Sequence, residues 1–388
     1  MSTQTIHWLG AGLSSLPGIK RLALGKTKVI VWNRSLDKAK NLLTDVADKI
    51  DVLALNWDDL KDKVNAGDVV VSMLPATWHI EVAQLCLNSK AHFISSSYIS
   101  PQMAELNEQA KAAELCFVNE VGLDPGIDHL LAHKLVANYQ ASDAFNPKNK
   151  HYFRSYCGGF PSVANDFKYK FSWSPLGVLK ALKSPAKWIG DGQEKTSNAP
   201  WEALSEYHAT FATSTGDGKE MFQAYPNRDS VPFIEQYHFG KDWNVSEFVR
   251  GTLRLAGWSD AWQDIFNQVE NLQGTEGEQQ LAALSQELEQ KYSYEEGEPD
   301  RVVLCVELEV KDGDKKVWHQ SYQLDSHGND QGQAMGRTVS LTVSIAIEAV
   351  INGQIPTGVS AAPSDEKTVD NWLNKLNQLG ENISHHQY

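Results

Sequence analysis

With 388 residues the chain is too long for one small core and is read as two or three domains. Its 41% hydrophobic and 22% charged residues belong to a folded globular chain rather than a disordered one. The formal net charge of −14 repels phosphate backbones, so neither a nucleic-acid partner nor a membrane partner is expected, while a few local arginines still suffice for an anionic small substrate.

Up to Pro125 short apolar runs alternate with amphipathic stretches, the pattern of a parallel sheet flanked by helices. Strands are predicted at residues 5–9, 28–32, 52–55, 68–74, 91–94 and 115–118, with the VVVSML run of the fourth reading as a buried parallel strand. Residues 35–50 and 80–89 fit helices between them. Beyond Pro125, residues 127–138 read as a helix, 150–157 as a strand, and 242–291 as a helical subdomain rich in Gln and Glu. Residues 300–310 and 316–325 alternate as two strands about a DGD hairpin turn at 311–315, positioned to extend a sheet at a dimer interface. Residues 334–351 form a long apolar helix before a polar end. No stretch reaches the ~20 apolar residues that span a bilayer, and the N-terminus carries no basic leader, so a cytoplasmic location is expected. Cys86, Cys116, Cys157 and Cys305 lie far apart, which predicts neither a metal site nor a disulfide framework.

The strongest local signal is Gly10-Ala-Gly12-Leu13-Ser14-Ser15, after a strand and before a helix. Gly10 permits a tight turn, Gly12 admits a pyrophosphate to the backbone, and the helix N-terminus offers free N–H groups. Ser15 replaces the third glycine of the G-x-G-x-x-G pattern. The second strand ends Asn33-Arg34-Ser35, where an NAD site would place an acid for the ribose hydroxyl. A guanidinium there suits a 2′-phosphate, so NADP(H) is the expected cofactor. Leu74-Pro75 follows the fourth strand at the switch point, where a nicotinamide ribose would lie. A Rossmann doubly wound α/β domain is therefore predicted.

At residues 119–129, NEVGLDPGIDH, the chain resembles the saccharopine reductase family, the glutamate-forming saccharopine dehydrogenases. SSSYISP at 95–101, SYCGGFP at 155–161, YKFSWSPLGVL at 169–179, AYPNRDSVP at 224–232 and VRGTLR at 249–254 agree in order. The resemblance implies NADPH-dependent reduction of the imine of 2-aminoadipate semialdehyde and glutamate to saccharopine, or the reverse. A mixed-sheet α+β substrate domain and a homodimer are expected. A carboxynorspermidine synthase-like reductase of polyamine synthesis is the alternative within the chemistry, and a non-catalytic NADP(H)-binding regulatory protein the alternative outside it.

Asp124 before Pro125 reads as a helix N-cap and as a carboxylate for the substrate amine; with Cys157 and Tyr98 it makes the candidate catalytic set. Gly158, Trp173, Arg228 and Thr252 are candidate substrate contacts, Arg228 as a carboxylate clamp. His129 is read as substrate contact or helix packing. Ser97 and Leu123 join Gly10, Gly12, Leu13, Ser14, Asn33, Arg34, Ser35, Leu74 and Pro75 as cofactor contacts. The expected domains are residues 1–130 for NADP, 131–335 for substrate and dimerisation with a helical insertion about 165–295, and 336–388 packing back on the first. Hinges are expected near 125–135 and 330–340.

Overall fold

The computed structural model describes residues 4–213 and 216–388. The chain divides into two compact units, residues 1–130 with 330–380 and residues 131–329 with 381–388. It opens with β1 (Thr5–Leu9), α1 (Leu16–Ala23), β2 (Lys28–Asn33), α2 (Leu36–Leu42), β3 (Asp51–Ala54), α3 (Trp57–Lys63) and β4 (Val69–Ser72). There follow α4 (His79–Ser89), β5 (His92–Ile94), α5 (Pro101–Ala104), α6 (Asn107–Ala112), β6 (Cys116–Val118) and α7 (Ile127–Gln140). Then come β7 (Lys150–Pro161), α8 (Pro175–Leu182), β8 (Ala186–Gly190), β9 (Gln193–Ser197), β10 (Ser205–Thr213), β11 (Gly216–Pro226) and α9 (Pro232–Gln236). β12 (Asn244–Leu255), α10 (Trp258–Ala261), α11 (Gln263–Glu270), α12 (Gly274–Tyr292), β13 (Asp300–Asp312) and β14 (Lys315–His327) complete that run. The chain ends on α13 (Ala334–Ile351), β15 (Gly358–Ser360), α14 (Glu366–Gln378) and β16 (Ile383–Gln387).

In the first unit a parallel sheet runs β15-β6-β5-β4-β1-β2-β3. Val69, Val70 and Val71 are fully buried because helices cover both faces, which is why this strand reads as an unbroken apolar run. The order reverses between β1 and β4, the switch point at which such sheets bind ligands. Helix starts follow local chemistry: Asn56 Oδ1 accepts the Asp58 and Asp59 N–H groups at the start of α3, and Asp365 caps α14 through Thr368. α1 touches α13 closely, since a Cβ on Gly18 would lie 2.3 Å from the Ser340 carbonyl oxygen, and the Gly18 N–H donates to Ser340 Oγ at 2.8 Å. α13 is, among the described residues, the one helix long and apolar enough to cross a membrane, yet 83% of it is buried. It is a core helix of this unit.

The second unit is built on a mixed sheet ordered β10-β11-β12-β7-β13-β14-β16, with β8 and β9 attached beside β12. β12 and β7 are parallel and the other neighbours antiparallel. One face carries an aromatic core including Tyr156, Phe160, Phe211 and Phe222. α8, α11 and α12 carry Leu179, Phe266, Leu281 and Leu288 into a second core with Tyr169, Tyr225 and Trp262.

Four sequence expectations change here. Residues 244–255 are a strand and not part of a helical run, because the segment pairs with β11 on one side and β7 on the other and is buried on both faces from Phe248 to Gly251. The insertion at 165–295 accordingly contains five strands as well as its helices. The last residues do not stay with the first unit: β16 pairs with β14. β13 and β14 are flanked on both sides within the chain, so neither offers a free edge to a second copy. The helix expected at 35–50 is shorter, ending at Leu42 and giving way to a 3₁₀ turn at Thr44–Val46.

Candidate functional site

In the first unit, β1 ends at Leu9 and the chain turns through Gly10, whose φ is +97°. A Cβ there would lie 2.9 Å from the Met73 carbonyl oxygen, so this glycine is required by the protein's own packing. Gly12 is different: no atom lies within 4 Å of where its Cβ would be. Its backbone is open, as is the side chain of Leu13, while Ser14 is half-buried before α1. The Asn33 side chain ties the neighbouring strand end to this turn, accepting the Ala11 N–H at 3.1 Å and donating to the Ser35 carbonyl at 2.8 Å. Arg34 and Ser35 are exposed beside it, and Leu74 and Pro75 follow β4 at the same edge of the sheet.

A histidine not anticipated from sequence organises that edge. His79 Nδ1 lies 2.8 Å from Ser72 Oγ, and its Nε2 lies 2.8 Å from Ser97 Oγ and 3.3 Å from Ser95 Oγ. Burial pushes the imidazole down to about 4, so it is neutral at physiological pH and joins the ends of β4 and β5 without a charge.

The GLDPG segment forms a closed loop. The Gly122 N–H donates to the Pro125 carbonyl and the Ile127 N–H to the Gly122 carbonyl. A Cβ on Gly126 (φ +148°) would lie 2.1 Å from Gly122 O. The Asp124–Pro125 bond is cis and α7 begins at Ile127, so Asp124 is not the N-cap read from sequence; Asp128 Oδ1 instead accepts the Gly126 N–H at 2.7 Å. The half-buried Asp124 carboxylate accepts the Tyr98 hydroxyl at 3.0 Å. Leu123 is buried. His129 is fully buried with Nε2 2.9 Å from Glu120 Oε2, which makes it a packing and pairing residue. Glu120 Oε1 in turn accepts the Ile99 N–H, and its own N–H donates to the Ser97 carbonyl. The Tyr98 segment is thereby pinned on both sides.

In the second unit Cys157 on β7, Thr252 on β12 and Tyr225 on β11 are register partners and share one sheet face. Gly158 alternates to the other face, where a Cβ would meet Leu253 and Phe160, so what it offers a ligand is its backbone. Trp173 is 37% exposed and lies across Gly177 at the start of α8. Arg228 is exposed on a left-handed residue (φ +58°) in the turn after β11. No group of three or more His, Cys, Asp or Glu suited to a metal occurs among the described residues.

Residues 6–118 match the saccharopine dehydrogenase NADP binding domain and residues 122–381 the saccharopine dehydrogenase C-terminal domain. The chain belongs to the saccharopine dehydrogenase family. It is 31% identical to a saccharopine dehydrogenase [NADP(+), L-glutamate-forming] of Pyricularia oryzae, with 97% of each chain covered. Against the Saccharomyces cerevisiae enzyme of the same name it is 38% identical over 65% of this chain and 55% of that one. The solved apo structure of the yeast L-Glu-forming enzyme superposes with a TM-score of 0.79 at 27% identity, covering 99% of this chain and all of that one. A Legionella pneumophila homospermidine synthase in complex with NAD shares the fold alone, with a TM-score of 0.63 at 10% identity and coverage of 100% and 92%.

The glycine-rich turn of this saccharopine dehydrogenase family member fits a dinucleotide. Its open backbone at Gly12 and the following helix N-terminus are what a pyrophosphate needs. The exposed Arg34 beyond β2 stands where an acid would otherwise exclude a 2′-phosphate. Sequence reasoning missed His79 and Glu120. His79 follows no motif, and Glu120, although inside the NEVGLDPGIDH block, carries no signal of its own; their partners come from other strand ends, which only the sheet order brings together.

Proposed function

We propose that this chain is an NADP(H)-dependent oxidoreductase acting on a C–N bond, interconverting saccharopine with the imine of 2-aminoadipate semialdehyde and glutamate. The observation that carries the reading is the near full-length match to an L-glutamate-forming enzyme, together with an intact Gly10–Gly12 turn and Arg34. When bound, the cofactor supplies or accepts the hydride. Gly12, Leu13, Ser14, Asn33, Arg34 and Ser35 hold its pyrophosphate and 2′-phosphate ends, and Leu74, Pro75, Ser97 and Leu123 its nicotinamide end. Asp124, oriented by the Tyr98 hydroxyl, binds the substrate nitrogen as a cation and exchanges its proton through the carboxylate. Cys157, Thr252 and the Gly158 backbone line the substrate on β7 and β12. Trp173 and Arg228 are further substrate contacts, with Arg228 a carboxylate clamp.

The polyamine alternative is less supported, since the solved homospermidine synthase shares only fold at 10% identity. The test is nicotinamide absorbance with saccharopine and NADP+, repeated with NAD+ and with a carboxylated polyamine. Turnover of saccharopine preferring NADP+ is expected; turnover of the polyamine alone refutes the substrate. A cytoplasmic homodimer is proposed with it; the mass of the purified chain in solution, one or two copies of 43.2 kDa, tests the assembly.

A further inference from the structure

The ligand-binding edge of the first unit exposes aromatic surface that none of the cofactor contacts named above uses. Among the described residues of this unit, Leu13, Leu24, Leu42 and Trp78 are the large apolar side chains most open to solvent. Leu24 and Leu42 lie where α1 and α2 end, at the far edge of the sheet. Leu13 stands in the glycine-rich turn and Trp78 directly before α4, at the edge that binds ligands. Trp78 is 41% exposed, yet it is held in place. Its ring stacks on Trp57 with centres 5.3 Å apart and 28° between the planes. Its backbone N–H donates to the Pro75 carbonyl at 2.9 Å. Trp57 in turn packs half-buried against the core below and opens α3, whose start is fixed by the Asn56 cap. One indole is anchored, and it carries the other.

A single surface indole needs no explanation; the position of this pair does. The strand order β4-β1-β2-β3 means that the loops after β4 and β3, which the two indoles join, bracket the Gly10–Gly12 turn and Arg34. The Leu55 N–H donates to the Asn33 carbonyl at 3.0 Å, so the chain entering Trp57 runs beside the Arg34 segment. Leu74 and Pro75 stay at the nicotinamide side, and the 3₁₀ turn at Ala76–Trp78 returns the chain towards β3. A dinucleotide with its pyrophosphate on Gly12 and its 2′-phosphate on Arg34 has the adenosine ribose between them, one glycosidic bond from the base. A purine has two flat π-faces, and an aromatic ring is the surface that replaces water on such a face.

We infer that Trp78, backed by Trp57, is the stacking surface for the adenine of the cofactor. This rests on the NADP(H) site and not on saccharopine as the substrate. The probe is 2′,5′-ADP, which carries the adenine and the 2′-phosphate without the nicotinamide. In calorimetric titrations Trp78→Ala is expected to raise the Kd of 2′,5′-ADP and of NADP+ about 10- to 100-fold, with the Tm of the ligand-free chain unchanged. Trp78→Phe keeps a ring and should bind within about threefold of wild type. Trp78→Leu keeps apolar volume without a π-face and should behave like Trp78→Ala. Unchanged 2′,5′-ADP affinity in Trp78→Ala overturns the inference. So does a Trp78→Leu chain that binds like Trp78→Phe, or a loss of affinity that follows a loss of Tm, because either marks a packing role. A wild type that turns over no saccharopine but binds 2′,5′-ADP through Trp78 loses the proposed substrate and keeps the adenine seat. If neither Trp78→Ala nor Trp78→Leu folds, wild-type crystals soaked with 2′,5′-ADP decide. Purine density on the Trp78 ring supports the seat, and purine density only elsewhere removes it.

Discussion

Gly10 and Gly12 stand two residues apart in one turn, and the structure assigns them opposite jobs. Gly10→Ala forces a side chain into φ +97° with its Cβ 2.9 Å from a backbone oxygen. The left-handed backbone alone costs about 1–2 kcal/mol, and the contact with Met73 cannot be relieved by a rotamer, so a loss on the order of 3 kcal/mol is expected. Gly12→Ala meets no protein atom within 4 Å and has no positive φ. It should leave stability unchanged or raise it by about 0.5 kcal/mol through a stiffer unfolded chain. The same methyl group, however, occupies the approach of the pyrophosphate to the backbone. Losing one or two charge-assisted N–H contacts of roughly 1.5–3 kcal/mol each corresponds to a rise in NADPH Kd of at least about tenfold. Thermal unfolding without cofactor reads the first quantity, and tryptophan fluorescence titration with NADPH the second. A Gly12→Ala chain that binds NADPH like wild type refutes the placement of the pyrophosphate at this turn. One that loses stability instead shows that the open space was misjudged.

Arg34→Ser should raise the Kd for NADPH about 10- to 100-fold while leaving NADH affinity within about twofold, because only the former carries the 2′-phosphate; equal effects on both would remove Arg34 from that role. Asp124→Asn keeps an acceptor for the Tyr98 hydroxyl but cannot exchange the proton, so kcat is expected to fall about 100-fold at unchanged NADPH affinity; stopped-flow turnover with kcat intact would exclude it from proton transfer. His79 has its folded pKa depressed to about 4 by burial, below the ordinary 6.5. The unfolded chain therefore binds the extra proton first, and the stabilisation, on the order of 3 kcal/mol, is complete above pH 6.5 and lost as pH falls towards 4. Urea unfolding of wild type and His79→Asn across that range should converge at the acid end, and parallel curves would refute the assignment.

The first unit was legible in the sequence because its signals are local. Parallel strands buried on both faces read as apolar runs, and a glycine-rich turn between strand and helix carries its own geometry. The second unit was legible mainly through family-specific blocks, which named Cys157, Trp173, Arg228 and Thr252 but not their arrangement. Reading 244–255 as helix concealed the register that sets Thr252 beside Tyr225 on β11 and Cys157 on β7. Asp124 failed as an N-cap for a different reason. The loop is closed by backbone contact between Gly122 and Gly126, a long-range constraint within a short segment that a dipeptide signal such as Asp-Pro does not encode. His129, read from sequence as substrate contact or helix packing, is buried with Nε2 2.9 Å from Glu120, a partner nine residues away across the loop.

The acidic charge of the whole chain and a polycarboxylate substrate are compatible because the two act at different depths. Surface carboxylates are screened over about 8 Å at physiological salt, so a net charge of −14 exerts little influence inside a protein core. A buried guanidinium acts where the effective dielectric is low and each donor counts for more. Arg154 and Arg301 contribute no such field, since each is already matched by two acids. Anion binding by this chain therefore depends on cations that no acid already matches, and not on the net charge.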